Sequence, residues 1–405
     1  MARPKSPNPR RQITSFRLSG AEQQEMKAAA AKAGCRNLSE YLRHLHKKAV
    51  TATQLGVATR PATVVASHPA KRVFATALGA AYCGDSARYM LRDAKEASVN
   101  LIMTSPPFGL VRKKSYGNED ASAYCDWFRP FAEGFRRVLR ADGSLVIDIG
   151  GSWIPGSPTR SLYHFDLLTM LCREYGFHLC LEHFWWNPSK LPTPAEWVNV
   201  RRVRVKDAVN CIWWLSPTPW PKASNRRILS AYSDSMKSLL QNGYSRKLRP
   251  SGHDISPHFQ KDNGGAVPPN LLAIANTESN SRYQAYCREH HLPVHPARFP
   301  SLLPEYFIRM LTDRGDTVLD PFAGSFVTGA VAESLGRKWV GVEMFADYVK
   351  GAQGRFAAPP AVPSASCNVT QYSIATPCAM SSTIVEHPLP KDGGRSRSRK
   401  AKKPA

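Results

Sequence analysis

From about Arg72 to Phe356 the chain alternates short continuous apolar runs with stretches whose apolar positions recur every three to four residues. The runs Val99–Thr104, Ser144–Ile149, Thr317–Leu319 and Trp339–Val342 predict buried strands, and Leu179–Trp186 predicts a further strand. The periodic stretches Tyr124–Leu139, Leu162–Tyr175, Pro304–Leu311 and Ser325–Leu335 predict helices that bury one side. Asp142-Gly143 predicts a turn feeding the strand from Ser144. Strands alternating with helices predict an α/β domain built on a doubly wound, mostly parallel sheet. Between Asn187 and His295 the pattern is less regular, rich in Pro, Asn, Gly, Lys and Arg.

The two ends differ from this body. Residues 1–11 are rich in Pro and Arg and predict disorder. Thr14, Phe16 and Leu18 alternate with Ser15 and Arg17, as in a strand. Two helices are predicted next: Ser19–Ala33, with Ser19 as N-cap and Gly34 as stop, and Asn37–Val50, capped by Asn37 or Ser39. Leu38, Tyr41, Leu42 and Leu45 give the second an apolar stripe. One strand and two helices within residues 1–50 resemble a ribbon-helix-helix unit, in which paired strands from two chains enter the major groove; a basic helical extension is the other reading. Residues 51–71 read as a linker. Residues 357–405 are rich in Pro, Ser and Ala, end in Arg395-Ser396-Arg397-Ser398-Arg399-Lys400, and predict a disordered basic tail.

The chain carries a formal charge of +24 over 405 residues. Both ends and the body are basic, which suits a polyanion. The 9 cysteines are scattered without a Cys-x-x-Cys pair, so all are expected reduced and no metal site is expected. Neither a signal peptide nor a run long enough to span a membrane is visible, and a cytoplasmic protein is expected.

The first chemical constellation is Leu319-Asp320-Pro321-Phe322-Ala323-Gly324-Ser325. A strand ends in an acid, turns on a glycine and enters a helix. One strand later, Val340-Gly341-Val342-Glu343 also ends in an acid, and a carboxylate there can accept hydrogen bonds from a ribose. The triple-glycine pyrophosphate fingerprint is absent. The pattern therefore suits a nucleoside without phosphates, with an ordinary glycine turn between strand and helix as the alternative.

The second is Thr104-Ser105-Pro106-Pro107-Phe108-Gly109 at the end of the Val99 strand. Two prolines fix φ and hold the preceding residues extended. The result is a rigid loop presenting carbonyls, one hydroxyl and an aromatic ring, an inventory that fits an extruded base. An exocyclic amine is a poor nucleophile because its lone pair is delocalised into the ring. Acceptors on its two hydrogens, the Ser105 hydroxyl and the Pro106 carbonyl, would free that pair, while Phe108 stacks on the base. No cysteine adjoins the prolines, so a covalent route through a thiolate has no obvious agent.

Together these constellations resemble the amino-methyltransferases of DNA. Ser-Pro-Pro-Phe looks like their catalytic motif in its cytosine-N4 form; the adenine-N6 enzymes usually carry Asp or Asn at the position of Ser105. Asp320–Ser325 looks like their cofactor motif. Catalytic motif before cofactor motif, about 215 residues apart, is the circularly permuted, β-group order. The segments Trp186–Pro192, Arg204–Asn210, Arg249–Ile255, Lys261–Leu272 and His295–Pro300 resemble the PvuII type of these enzymes, over roughly Gly84 to Phe356.

The resemblance implies a seven-stranded sheet in a catalytic domain spanning 72–356, with target recognition at about 187–280. It implies S-adenosylmethionine as cofactor and N4 of cytosine in duplex DNA as acceptor, within CAGCTG. Asp85 would sit at the cofactor's adenine, and the segment containing Phe299 and Pro300 near its methionine end. It implies a restriction-modification or orphan enzyme, with a cognate endonuclease as partner in the first case. Lys190, Arg201, Arg202, Arg204 and Lys206 either line the DNA cleft or form a solvated face. His253 either contacts DNA or is a loop histidine satisfied by the backbone. An adenine-N6 enzyme and a DNA-binding regulator acting through the N-terminal segment remain the competing readings.

Overall fold

A computed structural model describes residues 20–32, 35, 37, 40, 41, 69–109, 120–243, 261–277 and 281–356. The chain divides into two compact units, Met1–Val64 and Val65–Ala405. In the first, helix α1 runs Gly20–Lys32. The Asn37 side chain accepts from the Glu40 backbone N–H at 2.9 Å, and Glu40 and Tyr41 are helical. Asn37 thus stands in a capping position ahead of Glu40; Ser39, the other expected cap, lies outside the described residues. The alternating strand of residues 12–18, the rest of that helix, the linker to residue 68 and the tail lie outside the described residues.

Among the described residues the second unit is built on one sheet of nine strands. They are β1 (Lys71–Ala75), β2 (Gly79–Cys83), β3 (Val99–Thr104), β4 (Leu139–Ile149), β5 (His178–Trp186), β6 (Val209–Ser216), β7 (Leu271–Ala273), β8 (Thr317–Asp320) and β9 (Lys338–Glu343). Their order is β1-β2-β9-β8-β3-β4-β6-β5-β7. The run β2-β9-β8-β3-β4 is parallel throughout. Strand β6 returns antiparallel beside β4 and pairs antiparallel with β5. The seven strands β2 to β5 in this order form the expected sheet. The two short strands β1 and β7 extend it at its edges, and neither carries a period-2 or apolar run long enough to declare itself in the sequence.

Helices cover both faces: α2 (Tyr124–Val138), α3 (Tyr163–Arg173), α6 (Leu302–Leu311), α7 (Val327–Ser334) and α8 (Ala346–Phe356). Among the described residues of the irregular stretch lie the helices α4 (Asp234–Asn242) and α5 (Arg282–Glu289). In α2, Phe128, Phe131, Phe135 and Val138 recur at helical spacing and are buried in one of the two cores; each such side chain contributes about 1.5–3 kcal/mol. The second core, with Phe307, Phe326 and Trp339, lies under α6 and α7. The two cores draw on different helices because they occupy opposite faces of the sheet.

One element boundary differs from expectation. No break separates α2 from a strand at Ser144: β4 begins at Leu139. Its pairing with β3 jumps from Val99↔Leu139 to Leu101↔Ser144. Asp142-Gly143 is absorbed as a bulge within the strand, because β3 alongside supplies ladder partners on either side of it.

Candidate active site

Strands β8 and β3 are neighbours in the sheet, with Leu101↔Val318 and Ile102↔Leu319 in register. From this pair the chain winds outward in both directions, β9 and β2 on one side and β4 on the other. Open parallel sheets bind ligands at such a switch point, beyond the carboxyl ends of the strands. Here a cleft of about 880 Å³ opens, large enough for a small molecule plus an extruded base. The two motifs, far apart in the chain, meet across it.

Three neighbouring strand ends build one half of the cleft. From β9, Glu343 is buried; its Oε2 accepts from Gly324 N at 2.9 Å and its Oε1 from Phe345 N at 3.0 Å. Burial raises its carboxyl pKa, while those two backbone N–H groups oppose the rise. Each oxygen retains a lone pair for a ribose hydroxyl. From β8, the turn places Phe322, Ala323, Gly324 and Ser325 along the cleft. Gly324 has φ +49°, and a Cβ there would stand 3.0 Å from the His295 ring; the space and the backbone both require glycine. From β2, Asp85 lines the cleft and caps the turn Ser86–Arg88 through its Oδ1 on Arg88 N at 3.0 Å. Phe322, 4.8 Å from the Phe131 ring and 6.0 Å from Trp127, forms an aromatic wall with them.

Asp320 takes a different place. It is buried beneath the cleft and does not line it. Its Oδ1 accepts from Thr104 Oγ1 at 2.7 Å and Phe322 N at 3.1 Å, and its Oδ2 from Thr328 Oγ1 at 2.8 Å. Burial pushes its pKa up to about 6 against those hydrogen bonds. This carboxylate fastens β3, the β8 turn and α7 to one another. Pro300 is likewise buried behind Phe299, which does line the cleft.

The other half is the loop after β3. Ser105, Pro106, Pro107 and Phe108 all line the cleft. The buried Tyr124 hydroxyl donates to the Pro107 carbonyl at 2.7 Å, and Tyr163 donates to the Gly150 carbonyl. Gly150 lies against Phe108: a Cβ there would stand 2.5 Å from the ring. Prolines, two phenols and a bare backbone therefore hold this loop from several sides.

A residue that sequence reasoning passed over stands beside it. Asp148, near the end of β4, is buried, lines the cleft and accepts from Ser105 Oγ at 3.1 Å on Oδ2. Burial raises its pKa to about 6, and hydrogen bonds from Asn210 and Ser105 and the charge of Lys190 pull against that rise. The signal was present, an acid inside the apolar run Val146-Ile147-Asp148-Ile149 at a strand end, the same signature as Asp320 and Glu343. Of the expected DNA-contacting residues, Lys190 lines the cleft. Arg201 instead pairs with Glu196 at 2.8 Å and lies over Trp197, and Arg204 lies over Trp153 and donates to the Pro158 carbonyl at 2.8 Å. Neither lines the cleft. His253 lies outside the described residues. Among the described residues no helix is long and apolar enough to cross a membrane.

A DNA methylase family model of the N6/N4 type matches residues 99–354. The type II methyltransferase M.PvuII of Proteus hauseri is 50% identical over 289 residues, 71% of this chain and 86% of that one. The DNA adenine methyltransferase YhdJ of Escherichia coli strain K12 is 50% identical over 267 residues, 64% of this chain and 76% of that one. The solved PvuII DNA methyltransferase (cytosine-N4-specific) superposes with a TM-score of 0.59 at 43% identity, covering 72% of this chain and 91% of that chain. The chain belongs to the N6/N4 family of DNA methylases, and its cofactor is S-adenosylmethionine.

The residues present fit that cofactor: two acids at adjacent strand ends, an aromatic wall and a glycine turn tied to Glu343. Glu343→Ala is expected to weaken S-adenosylmethionine binding by about 1–3 kcal/mol, the scale of a lost charged hydrogen bond. Calorimetry on the folded variant checks this, and wild-type affinity would remove Glu343 from the site.

Proposed function

We propose that the protein methylates N4 of cytosine in duplex DNA, within CAGCTG, by direct transfer from S-adenosylmethionine. The observation that carries the reading is the Ser105–Asp148 hydrogen bond in the lining of the aromatic-walled cleft. Relatives acting on adenine and on cytosine are both similar to this chain, so the choice of base rests on serine at position 105 and on the PvuII-type segments.

The bound cofactor supplies an electrophilic methyl group. The chain supplies the geometry for the attacking nitrogen. The one hydrogen on the Ser105 hydroxyl is directed to Asp148, so the oxygen's lone pairs are left for an N4 hydrogen. The Pro106 carbonyl accepts the second. Drawing both hydrogens out of the ring plane returns the nitrogen's lone pair to the nitrogen. As the N–C bond forms, the amine becomes acidic. Its proton passes to Ser105 Oγ while the Ser105 proton passes to Asp148, and the carboxyl later releases it to water. Asp148 serves only when ionised, so kcat falls as pH drops through about 6. Phe108 stacks on the base, and Lys190 meets the DNA backbone at the entrance.

The catalytic unit occupies residues 72–356, with recognition of the flanking bases at 187–280. The N-terminal 50 residues form a separate DNA-binding module, and a cognate endonuclease reading the same site is the corresponding partner in the cytoplasm. Deleting residues 1–60 should therefore leave methylation of short duplexes largely intact while lowering affinity for a separate operator-like sequence, read by gel shift. Loss of methylation in a still-folded truncation would defeat the separable module. The reading as a whole is tested by mapping modified bases in DNA from cells expressing the protein: N4-methylcytosine at the inner cytosine of CAGCTG supports it, and another base or site replaces it.

A further inference from the structure

The Asp148 carboxylate has two oxygens, and only one faces Ser105. The other, Oδ1, accepts from the Asn210 side-chain amide at 3.1 Å. Asn210 stands at the start of β6, where it pairs directly with Trp185 of β5. Its neighbour Cys211 pairs with Ile149 of β4, and Ile212 with Asp148 itself. Asn210 and Ile212 share one face of β6, so Asn210 is the diagonal neighbour of Asp148 on the cleft side of the sheet. Both Asn210 and Trp185 line the cleft. An ionised carboxylate is acceptor-only, so the Asn210 amide is oriented with its nitrogen towards Asp148.

We propose that Asn210 is a positioning residue for methyl transfer, its side-chain amide fixing the Asp148 carboxylate so that the second oxygen is presented to Ser105. This rests on the reading of Asp148 as the acceptor of the Ser105 proton. A free carboxylate at a strand end rotates about its last torsion, which is broad and soft. With one oxygen held by a half-buried amide, rotation is stopped and the ionised form is favoured over the buried neutral acid. The other groups facing Asp148 do not do this. Ser105 is the proton donor itself; Lys190, from the segment after β5, acts through charge alone; Cys211 of β6 and Tyr163 of α3 are near and un-ionised.

The arrangement also explains why the antiparallel strand β6 belongs to the site. The parallel strands deliver the reacting residues at their carboxyl ends. An antiparallel neighbour delivers its amino end to the same edge, and so brings Asn210, the last residue of the Arg204–Asn210 segment, next to Asp148.

The experiment is kinetic, on the full chain and plasmid DNA that the wild type methylates. Asn210→Leu is near-isosteric and removes the donor. It should lower kcat by about 10- to 100-fold, the scale for a hydrogen bond to a charged group, with KM for S-adenosylmethionine unchanged. The acid limb of the kcat profile should move up by about one pH unit, as the ionised carboxylate loses a donor. In an Asp148→Asn background, Asn210→Leu should cost nothing further. A merely structural role would lower kcat equally in both backgrounds and leave the acid limb in place, and either result overturns the proposal. Should Asn210→Leu not fold, Asn210→Asp carries the same test: a second carboxyl sharing a proton with Asp148 should move the acid limb higher still, and an unmoved limb overturns the proposal. Asp148→Asn having no effect by itself would instead overturn the reading of Asp148.

Discussion

Asp148→Asn is expected to reduce kcat by about 10²–10⁴, the contribution of a positioned proton acceptor, with S-adenosylmethionine affinity unchanged. The substitution keeps the volume of the side chain and changes what it can do. An amide nitrogen placed towards Ser105 would donate to the hydroxyl, turning the Ser105 hydrogen into the cleft, against the hydrogens of the target amine. An amide oxygen placed there would still accept but could not take up a proton. Only the second orientation turns the residue 148 amide nitrogen against the Asn210 amide, donor against donor; the first keeps the Asn210 hydrogen bond. The pH dependence separates this from a packing defect. In the wild type kcat is expected to fall as pH drops through about 6, to which burial raises the Asp148 carboxyl; in the variant that limb should be absent. Rapid-quench measurement of one turnover, across pH 5 to 8, checks both parts. A variant within a few fold of the wild type at every pH would show that Asp148 does not take the proton.

Ser105→Ala removes one of the two acceptors on the target amine but leaves the Pro106 carbonyl and the Phe108 ring. Single-turnover methyl transfer should slow by about 10²–10³, as when one preorganised hydrogen-bonding group is lost. Cofactor binding should change little, because Glu343 and the Gly324 turn stand at other strand ends. Combined with Asp148→Asn, the loss should be far less than the sum, since the two residues move one proton as a unit. The residual product is as informative as the rate. Nucleosides from the digested DNA should contain N4-methylcytosine. Finding 5-methylcytosine would sink direct transfer to nitrogen, and finding only N6-methyladenine would assign the chain to the adenine branch of the family.

The residues of the two motifs were legible because each closes a strand buried on both faces. Such strands announce themselves as unbroken apolar runs, and an acid or a proline pair at the end of one is conspicuous against them. Ser105 to Phe108, Gly324 and Glu343 could be picked out in this way. So could the parallel centre of the sheet, since apolar runs alternated with amphipathic helices. The family was legible too, from the order of those motifs along the chain.

What the linear pattern did not carry belongs to pairing between distant segments. Strand β6 carries an apolar run, Cys211–Leu215, directly after a polar, basic stretch, but which strands it lies between is set by its ladder with β4 and β5, so Asn210 had no visible neighbour until those strands met. Asp320 and Glu343 look alike in sequence, each an acid at the end of an apolar strand. Only the fold separates them: Thr104 and Thr328, from β3 and α7, turn Asp320 inward as a fastening, while Glu343 keeps a face on the cleft. Arg201 and Arg204 look like DNA contacts in a basic run, and the tertiary structure places them outside the cleft, against Glu196, Trp197 and Trp153. Local propensity and burial determine which strands and helices form. Which oxygen of a carboxylate is free is determined by side chains that come from elsewhere in the chain, and only the folded sheet brings them within hydrogen-bonding distance.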